Sequence, residues 1–209
     1  MADEEPVFET TTGPVRVITA ASLFDGHDAA INVMRRLIQS SGAEVIHLGH
    51  DQSAKAVVDC AVQEDAHAVA LTSYQGGHIE YFTYIRQLLD EAGCDHVRIF
   101  GGGGGTITPP EIRTLHQSGI SKIYSPDDGR TMGLMGMIHH LMGQASEVDL
   151  IGETRLASID GPVTAEDMAK VGLLMTLSES ADDATFKAAI ETARSSDKDV
   201  PVIGFTGTG

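Results

Sequence analysis

Residues 15–30 read VRVITAASLFDGHDAA, an apolar run that ends in a short polar turn. The run at 15–20 is rich in β-branched residues, which favour strands. Asp25 and Asp28 follow it, and aspartate favours turns and helix starts. Apolar residues then recur at helical spacing over residues 31–38. This stretch therefore predicts a buried strand, a turn and an amphipathic helix, which together form one unit of an α/β fold.

The same plan repeats four more times along the chain. Further apolar runs lie at residues 44–48, 68–71, 97–100 and 122–124, with helical patterns between them. Five strands that alternate with helices predict a flavodoxin-like, doubly wound parallel sheet with strand order 2-1-3-4-5. Ligands of such sheets bind beyond the carboxyl ends of the strands, at the switch between strands 1 and 3.

The composition is that of a globular protein with an acidic surface. The 209 residues are 42% hydrophobic and 5% aromatic, which suffices for one well-buried domain and part of a second. The net charge of −16 opposes binding to nucleic acid or to anionic lipid. The chain has neither signal-peptide character at its start nor a run of about 18 apolar residues. We therefore expect a cytoplasmic protein without a nucleic-acid or membrane partner.

The two cysteines carry no site of their own. Cys60 and Cys94 are far apart in sequence and have no metal-type spacing. The sequence therefore predicts neither a disulfide framework nor a zinc site.

Three short signatures follow strands 1, 3 and 4, namely DGHDAA at 25–30, TSY at 72–74 and five glycines at 101–105. Residues 31–71 put 41 positions between the first and second signatures, and residues 75–100 put 26 between the second and third. Over residues 14–145 this arrangement resembles the cobalamin-binding module of adenosylcobalamin-dependent mutases and methylcobalamin proteins. The pattern of that module, D-x-H-x-x-G, S-x-L and G-G, has these separations. Ala30, Thr72 and Tyr74 depart from it, since they stand where the family has Gly, Ser and Leu.

His27 is the residue of the first signature that carries the chemistry. A neutral imidazole nitrogen can ligate a borderline metal such as cobalt, and the bond made by the other ring nitrogen decides which one is free. The resemblance implies that His27 displaces the base of the cofactor from the lower face of the corrin, while Asp25 holds the other ring nitrogen. Without the resemblance, His27 would be an ordinary surface histidine and Asp25 a turn or cap residue, with Asp28 the better cap.

The glycine run offers a place for the displaced nucleotide tail. Consecutive glycines are costly in chain entropy, so a folded domain keeps them where the backbone approaches something closely or adopts a positive φ. A flexible linker is the alternative. Gly101 directly follows the strand at 97–100, and Pro109 and Pro110 open the next helix, which favours a tight loop. The resemblance implies that Gly101 and Gly102 line the channel for the tail.

The second signature and the loop after it supply the remaining contacts that the resemblance implies. Thr72 would give a hydroxyl to the tail, and Tyr74 a ring or a phenol. The loop glycines would permit close approach to the corrin, and His78 would either bond an amide side arm or start the next helix. The full expected set of cofactor-binding residues is Asp25, Gly26, His27, Asp28, Thr72, Ser73, Tyr74, Gly76, Gly77, His78, Gly101, Gly102 and Gly103, with His27 as the metal ligand.

The other histidines and the methionines have a plainer interpretation. A methionine-rich face at 132–137 favours core or interface packing. No spacing assigns a role to the remaining candidates, which are His47, His50, His139 and His140.

The region after the module carries a second resemblance. An acidic linker near 147–160 is followed by helical patterns at 164–177 and 181–193, and residues 200–209 read VPVIGFTGTG. An apolar strand that enters Gly-Thr-Gly resembles the start of a P-loop, without the decisive GK[S/T]. We expect a flexible N-terminus at 1–13, a cobalamin-binding domain at 14–145, a linker with helices at 146–199, and the first strand and start of a truncated P-loop at 200–209.

The combination resembles fused isobutyryl-CoA mutases, in which a GTPase chaperone domain lies between the cofactor module and the substrate barrel. The resemblance implies that the chain binds adenosylcobalamin base-off and His-on, as a fragment of a mutase that interconverts isobutyryl-CoA and n-butyryl-CoA by a radical shift. GTP and Mg would bind only in the downstream GTPase domain, and the complete protein would be a homodimer. The fragment alone would be inactive, because no domain in it covers the upper face of the corrin.

Two alternatives remain open from the sequence. One is a cobalamin carrier, sensor or corrinoid methyl-transfer protein, which shares the fold and the lower ligand. The other is a receiver-like domain in which Asp25 and Asp28 form an acidic phosphoryl or magnesium site. The second alternative needs a lysine at the end of strand 5, whereas Lys122 stands at the beginning of that strand.

Overall fold

The computed structural model describes residue 6 and residues 8–194. Its centre is a parallel sheet of five strands, preceded by a short hairpin. The strands are β1 (Glu9–Thr10), β2 (Gly13–Pro14), β3 (Arg16–Ser22), β4 (Glu44–Gln52), β5 (Ala68–Thr72), β6 (Arg98–Gly102) and β7 (Lys122–Tyr124). The sheet order is β4-β3-β5-β6-β7 with every neighbouring pair parallel, which confirms the predicted flavodoxin-like order 2-1-3-4-5.

Helices connect the strands and continue beyond the sheet. They are α1 (Asp28–Ser40), α2 (Ala54–Gln63), α3 (His78–Glu91), α4 (Pro109–Gln117), α5 (Pro126–Ser146), α6 (Glu153–Leu156), α7 (Met168–Ser180) and α8 (Asp183–Ala193). The starts of α4 and α5 follow directly from the sequence, since each has a proline in its first turn behind a capping box. Thr108 pairs with Glu111 in one box, and Ser125 pairs with Asp128 in the other.

Two apolar cores cover the two faces of the sheet. Successive residues of a strand point to opposite faces, so Val17 packs in the core with α1 and α5, while Ile18 packs in the core with α2, α3 and α4. β5 is buried along its whole length, as expected for a central parallel strand. The sheet is therefore rigid where its carboxyl ends carry the three signatures.

The hairpin lies in the stretch that was expected to be flexible. Glu9 pairs with Pro14 and Thr10 with Gly13, and Thr12 is buried between them. The backbone carbonyl of Thr12 accepts a hydrogen bond from the Ser180 hydroxyl at 3.3 Å. Residues 9–14 are thus held in regular structure by a contact with α7.

The C-terminal helices pack against the edge of the sheet where the strands begin. Asp65 is 2% exposed. Its carboxylate accepts a hydrogen bond from the Thr176 hydroxyl at 2.8 Å and forms an ion pair with Arg155 at 2.7 Å. Arg16, the first residue of β3, donates to Thr176 Oγ1 at 2.9 Å. A Cβ on Gly172 would lie 2.8 Å from the carbonyl oxygen of Val62, so α7 approaches α2 closely.

This buried polar network joins Arg155 of α6 and Thr176 of α7 to Asp65 and Arg16, within the stretch at 146–199 that the sequence predicts to be a linker with helices. The helices also share a small apolar core of their own, formed around Leu173 and Leu177. The predicted P-loop start at 200–209 lies outside the described residues. Along residues 8–194 we find no helix with the length and apolarity that crossing a membrane requires.

Candidate functional site

The turn after β3 holds Asp25 and His27 as a hydrogen-bonded pair. The Asp25 side chain is fully buried, and its Oδ1 accepts from the backbone N–H of His27 at 2.9 Å and lies 2.7 Å from the ring Nδ1 of the same residue. Its Oδ2 accepts from the backbone N–H of Tyr74 at 2.5 Å. The turn is closed by the Asp25 N–H, which donates to the Ser22 carbonyl at 3.0 Å. The first and second signatures are therefore joined through one carboxylate.

The electrostatics of this pair determine which ring nitrogen is free. Burial on its own would raise the pKa of Asp25, but the hydrogen bonds from Tyr74 and His27 hold that pKa below its ordinary value. Asp25 is therefore ionised at neutral pH, and a carboxylate only accepts hydrogen bonds. His27 Nδ1 must then be the donor, which leaves a lone pair on Nε2 of the neutral ring. The His27 side chain is 63% exposed, so a ligand can reach it.

The loop that leads to this pair has a constrained backbone. Phe24 and Asp51 both adopt left-handed conformations, with φ of 63° and 58°. The Phe24 N–H donates to Asp51 Oδ1 at 2.6 Å, which ties the loop after β3 to the end of β4. Strained conformations of this kind persist only where the surrounding structure enforces them, and they are frequent near functional sites.

A cavity of about 580 Å³ lies beside the pair, between α1, α5 and the carboxyl ends of β5 and β6. Its volume falls within the range of about 300–1,000 Å³ that is typical of small-molecule sites. Thr72, Tyr74 and the glycines 101–104 contribute to its wall. The ring centroids of Tyr74 and His27 are 5.6 Å apart, so the cavity begins next to the histidine.

Thr72 lines this cavity and carries a polar group without a partner among the described residues. The residue is 7% exposed, and its Oγ1 is buried with no hydrogen-bond partner among the described residues. A buried hydroxyl without a partner costs about 1–3 kcal/mol and is uncommon in folded proteins. A ligand group that bonds this hydroxyl would remove the cost.

Two glycines of the run are required by the packing of the protein itself. A Cβ on Gly101 would lie 2.4 Å from the ring of Phe82, and a Cβ on Gly103 would lie 2.0 Å from the carbonyl oxygen of Ser73. Both distances are too short for any side chain. The run is therefore a tight strand-to-helix loop, because its backbone lies against the end of β5.

The neighbouring glycines have different environments. A Cβ on Gly102 would meet only the Tyr124 carbonyl oxygen, at an ordinary 3.5 Å, so the protein has room for a side chain there. The positive φ in this loop belongs to Gly104, at 57°, whereas no such value occurs at Gly102. Since Gly102 lines the cavity, a side chain at that position would project from the wall that a ligand contacts.

Ser73, Gly76 and Gly77 of the expected site are not among the residues that line the cavity. Ser73 is buried, its hydroxyl accepts from the Ser22 hydroxyl at 2.9 Å, and its N–H donates to the Gly102 carbonyl at 2.8 Å. Gly76 and Gly77 are exposed in the loop before α3, with open space where a Cβ would stand. They leave room for a ligand that lies over the loop.

His78 and Asp28 serve the starts of helices. His78 is the first residue of α3 and is 6% exposed. Its Nε2 lies 3.3 Å from Glu111 Oε1, without the alignment of a hydrogen bond. Asp28 is the first residue of α1, whereas His27 occupies the cap position and makes no side-chain cap bond. The expectation that Asp28 caps this helix is therefore wrong. Its carboxylate lies in the first turn of α1, where a negative charge interacts favourably with the helix dipole.

Sequence reasoning missed the wall that α5 provides. The helix is broken at Gly133, which has φ 68° and ψ 173°. Beyond the break, Leu134, Met137 and Leu141 line the cavity, at a spacing that puts them on one face of the helix. The methionine-rich face was assigned to packing, and Met132 and Met137 do pack against the core. The helical spacing of Leu134, Met137 and Leu141 was the feature of the sequence that could have indicated a shared face of α5.

Two of the other histidines, His47 and His140, bond within the protein. His140 Nδ1 lies 2.9 Å from the hydroxyl of Tyr124, and His47 Nδ1 lies 2.9 Å from the hydroxyl of Thr19. Lys122 pairs with Asp128 at 2.9 Å rather than with Asp25. Among the residues that the structure describes, no three His, Cys, Asp or Glu side chains come together to hold a metal ion.

Comparison with known proteins gives concordant matches. The B12-binding domain family matches residues 15–127. The fused isobutyryl-CoA mutase of Geobacillus kaustophilus is 48% identical over 202 residues, which cover 93% of this chain and 18% of that protein. The 2-hydroxyisobutanoyl-CoA mutase small subunit of Aquincola tertiaricarbonis is 33% identical over 115 residues, which cover 54% of this chain and 82% of that subunit.

A solved structure shares the fold. A cobalamin-binding protein from Desulfitobacterium hafniense DCB-2 superposes with a TM-score of 0.52 at 18% identity, over 62% of this chain and 58% of that one. In the two sequence comparisons, the chain spans 18% of the length of the fused mutase and 82% of the length of the small subunit.

Proposed function

The chain belongs to the B12-binding domain family, and we propose that it binds adenosylcobalamin with His27 as the lower ligand to cobalt and with the displaced nucleotide tail in the cavity. The observation that carries this proposal is the Asp25–His27 pair at the mouth of a preformed cavity. The carboxylate holds Nδ1 at 2.7 Å, and the exposed ring keeps Nε2 for a metal.

The residues present fit this cofactor in chemical type. An imidazole nitrogen suits cobalt, and a carboxylate on the other ring nitrogen is a common arrangement around metal-bound histidine. The unpartnered hydroxyl of Thr72 and the bare backbone at Gly102 offer a polar contact and close approach to a tail in the cavity. When bound, adenosylcobalamin supplies a carbon radical through homolysis of its cobalt–carbon bond.

The residues of the chain then have separate tasks. Asp25 fixes the tautomer and direction of the His27 ring and increases the basicity of Nε2. The Tyr74 N–H holds the second oxygen of Asp25, so the carboxylate cannot rotate without losing a hydrogen bond. The apolar walls from α1 and α5 would shield a tail in the cavity from water. We assign cofactor binding to these groups, and we assign the substrate chemistry to the rest of the mutase.

The activity that we propose for the whole protein is an isomerisation. With 48% identity to a fused isobutyryl-CoA mutase over 93% of its length, the chain is best explained as the cofactor module of such a protein. The complete polypeptide would interconvert isobutyryl-CoA and n-butyryl-CoA, with a substrate barrel over the corrin and a GTPase chaperone domain that binds GTP and Mg. We propose that it acts as a homodimer in the cytoplasm.

A spectroscopic titration tests the cofactor proposal. The purified chain is mixed with adenosylcobalamin in the dark and its visible absorption is recorded. We expect saturation at about one cofactor per chain, with the absorption spectrum of a cobalt that carries a histidine nitrogen in place of the displaced base. His27→Ala should lose the His-on spectrum, whereas His139→Ala should retain it, because His139 lies beside Phe8 and outside the cavity wall. A colourless protein after removal of excess cofactor would contradict the proposal and favour a receiver-like domain.

A further inference from the structure

We infer that Asp51, at the end of β4, is a positioning residue for the cobalt ligand His27, because its carboxylate holds the turn that carries the histidine. The inference rests on the proposed function, since it concerns how His27 is presented to the metal. It goes beyond that function, because Asp51 belongs to none of the three signatures and does not line the cavity.

An irregular strand pairing brings Asp51 beside the turn after β3. The register of β3 with β4 shifts twice near the end of the pair, so that Ser22, the last residue of β3, lies opposite Gln52. Extra residues of this kind bend a strand and redirect its side chains, and they are frequent next to binding sites. The bend is also tied to α3, since the Gln52 carbonyl accepts from the Tyr81 hydroxyl at 2.9 Å. Asp51 is therefore held on a fixed support.

The carboxylate of Asp51 holds a backbone conformation that the turn would otherwise avoid. Phe24 has φ 63° and Asp51 has φ 58°, a region that a bulky residue such as phenylalanine rarely adopts. The Phe24 side chain is 80% exposed, so packing of its ring does not enforce this conformation. The Phe24 N–H donates to Asp51 Oδ1 at 2.6 Å, and a bond to a carboxylate is stronger than one between neutral groups. Asp51 therefore stabilises the left-handed conformation of Phe24.

The conformation of Phe24 in turn determines where His27 lies. Phe24 directly precedes Asp25, whose carboxylate accepts from the His27 ring and from the Tyr74 N–H. A change of φ at Phe24 redirects the chain that follows it, so these bonds to Asp25 would have to break or the turn would have to distort. Asp51 thus acts on the histidine through the backbone of the turn.

Three variants separate the hydrogen bond of Asp51 from its backbone conformation. Asp51→Ala removes the acceptor, and Asp51→Gly removes it while permitting the positive φ without strain. Asp51→Asn keeps an oxygen that accepts the same bond, on a residue that tolerates the left-handed region. Asp51 is exposed, so we expect all three variants to fold.

Absorption titration of the full chain with adenosylcobalamin measures the effect on affinity. We expect Asp51→Ala and Asp51→Gly to bind about 10-fold more weakly than the parent chain, as for the loss of one hydrogen bond, and Asp51→Asn to bind within about 2-fold of it. The control is Asp59→Ala, which removes an exposed carboxylate from α2 and should bind like the parent. A loss in Asp51→Asn equal to that in Asp51→Ala would overturn the inference, because the hydrogen bond would then not be the cause.

Electron paramagnetic resonance of the cobalt(II) form shows whether the loss acts through His27. At saturating cofactor, the bound cobalt of the parent chain should show splitting from the histidine nitrogen. Asp51→Ala and Asp51→Gly should show this splitting in a smaller share of the cobalt, and Asp51→Asn should restore it. Splitting or affinity in Asp51→Gly equal to that of the control would overturn the inference and leave the proposed function intact. Absence of histidine splitting in the parent chain would refute the proposed function, and the inference with it.

Discussion

At the scale of single residues, the site depends on one buried carboxylate. Asp25 accepts three hydrogen bonds, two from His27 and one from Tyr74, and so connects the ends of β3 and β5. Its environment lowers its pKa although burial alone would raise it. The ring of His27 is therefore positioned before any ligand binds, which reduces the ordering that binding has to impose.

The first prediction concerns this carboxylate. Asp25→Asn should still bind cobalamin, but about 10- to 100-fold more weakly, since a neutral amide supports the tautomer and basicity of the histidine less well. Affinity is measured by absorption titration. Asp59→Asn, on the opposite face of the sheet in α2, is the matched control and should bind like the parent chain. An Asp25→Asn affinity equal to that of the control would show that the hydrogen bond to His27 does not tune the ligand.

The sequence could indicate this pair but not every neighbour. The D-x-H spacing puts Asp25 next to His27 along the chain, so the close contact follows from local geometry. Ser73 contacts Ser22, and His78 lies close to Glu111. These partners are distant in sequence and come together only in the folded protein. No pattern in the sequence distinguishes these two buried residues from ones that contact a ligand.

At the scale of elements, the loop between β6 and α4 combines two kinds of glycine. Gly101 and Gly103 have no space for a side chain, because Phe82 and the Ser73 carbonyl lie against them. Gly102 has space within the protein but lines the cavity. In this loop, glycine is therefore required by the fold at positions 101 and 103, whereas at position 102 we expect it to be required for ligand binding.

The second prediction follows from this separation. Gly102→Val should fold with nearly unchanged thermal stability but bind cobalamin at least about 10-fold more weakly, which corresponds to about 1.4 kcal/mol. Gly103→Ala should lose stability, by about 1–3 kcal/mol or more, because its Cβ overlaps backbone. Gly105→Ala, which has open space around its Cβ, is the control for both measurements. Normal affinity in Gly102→Val would mean that the tail does not lie against this loop.

The helices show what periodicity predicts and what it leaves out. The strand order follows from the apolar runs, and the start of α4 follows from the local preference of proline for the first turn of a helix. The break in α5 at Gly133 does not, because a glycine within a helical pattern is equally compatible with an unbroken helix. The wall formed by Leu134 and Met137 therefore depends on tertiary packing that the sequence pattern does not specify.

At the scale of the whole molecule, the two edges of the sheet carry different groups of residues. The carboxyl edge of the sheet carries the site, and the amino edge carries the polar network of Asp65, Arg155 and Thr176. The network holds the C-terminal helices on the sheet.

The third prediction concerns acid sensitivity of the amino edge. Burial lowers the pKa of His67 to about 4 and that of His96 to about 3. In the unfolded chain both histidines have a pKa of about 6.5, so below that pH the unfolded state binds more protons than the folded state. The free energy of unfolding should therefore fall as the pH decreases from about 6.5 towards about 4.

Denaturant unfolding at a series of pH values measures this dependence. His67 Nδ1 accepts the Arg16 N–H at 3.0 Å, and protonation would abolish that bond. His96→Gln removes one of the two titrating groups and should make the decline shallower. A decline that is equally steep in this variant would contradict the assignment for His96.

The fourth prediction is that residues 1–209 alone have no turnover. Radical intermediates require a pocket that excludes water, and we propose that the substrate barrel of the complete mutase, rather than this chain, supplies that pocket. The chain should bind adenosylcobalamin, yet show neither isomerisation of isobutyryl-CoA nor hydrolysis of GTP above background. Fusion of the chain to the substrate barrel and GTPase domain that we propose for the complete protein should give both activities. Turnover by the isolated chain would refute its assignment as a cofactor module.

The central claim is that His27 takes the lower position on cobalt, and electron paramagnetic resonance of the cobalt(II) form tests it directly. The chain is prepared with ¹⁵N-labelled histidine and bound to unlabelled cobalamin. If His27 Nε2 is the ligand, the hyperfine splitting from the axial nitrogen changes to the pattern of ¹⁵N, and His27→Ala loses it. Splitting that keeps the ¹⁴N pattern of the benzimidazole nitrogen would contradict the account.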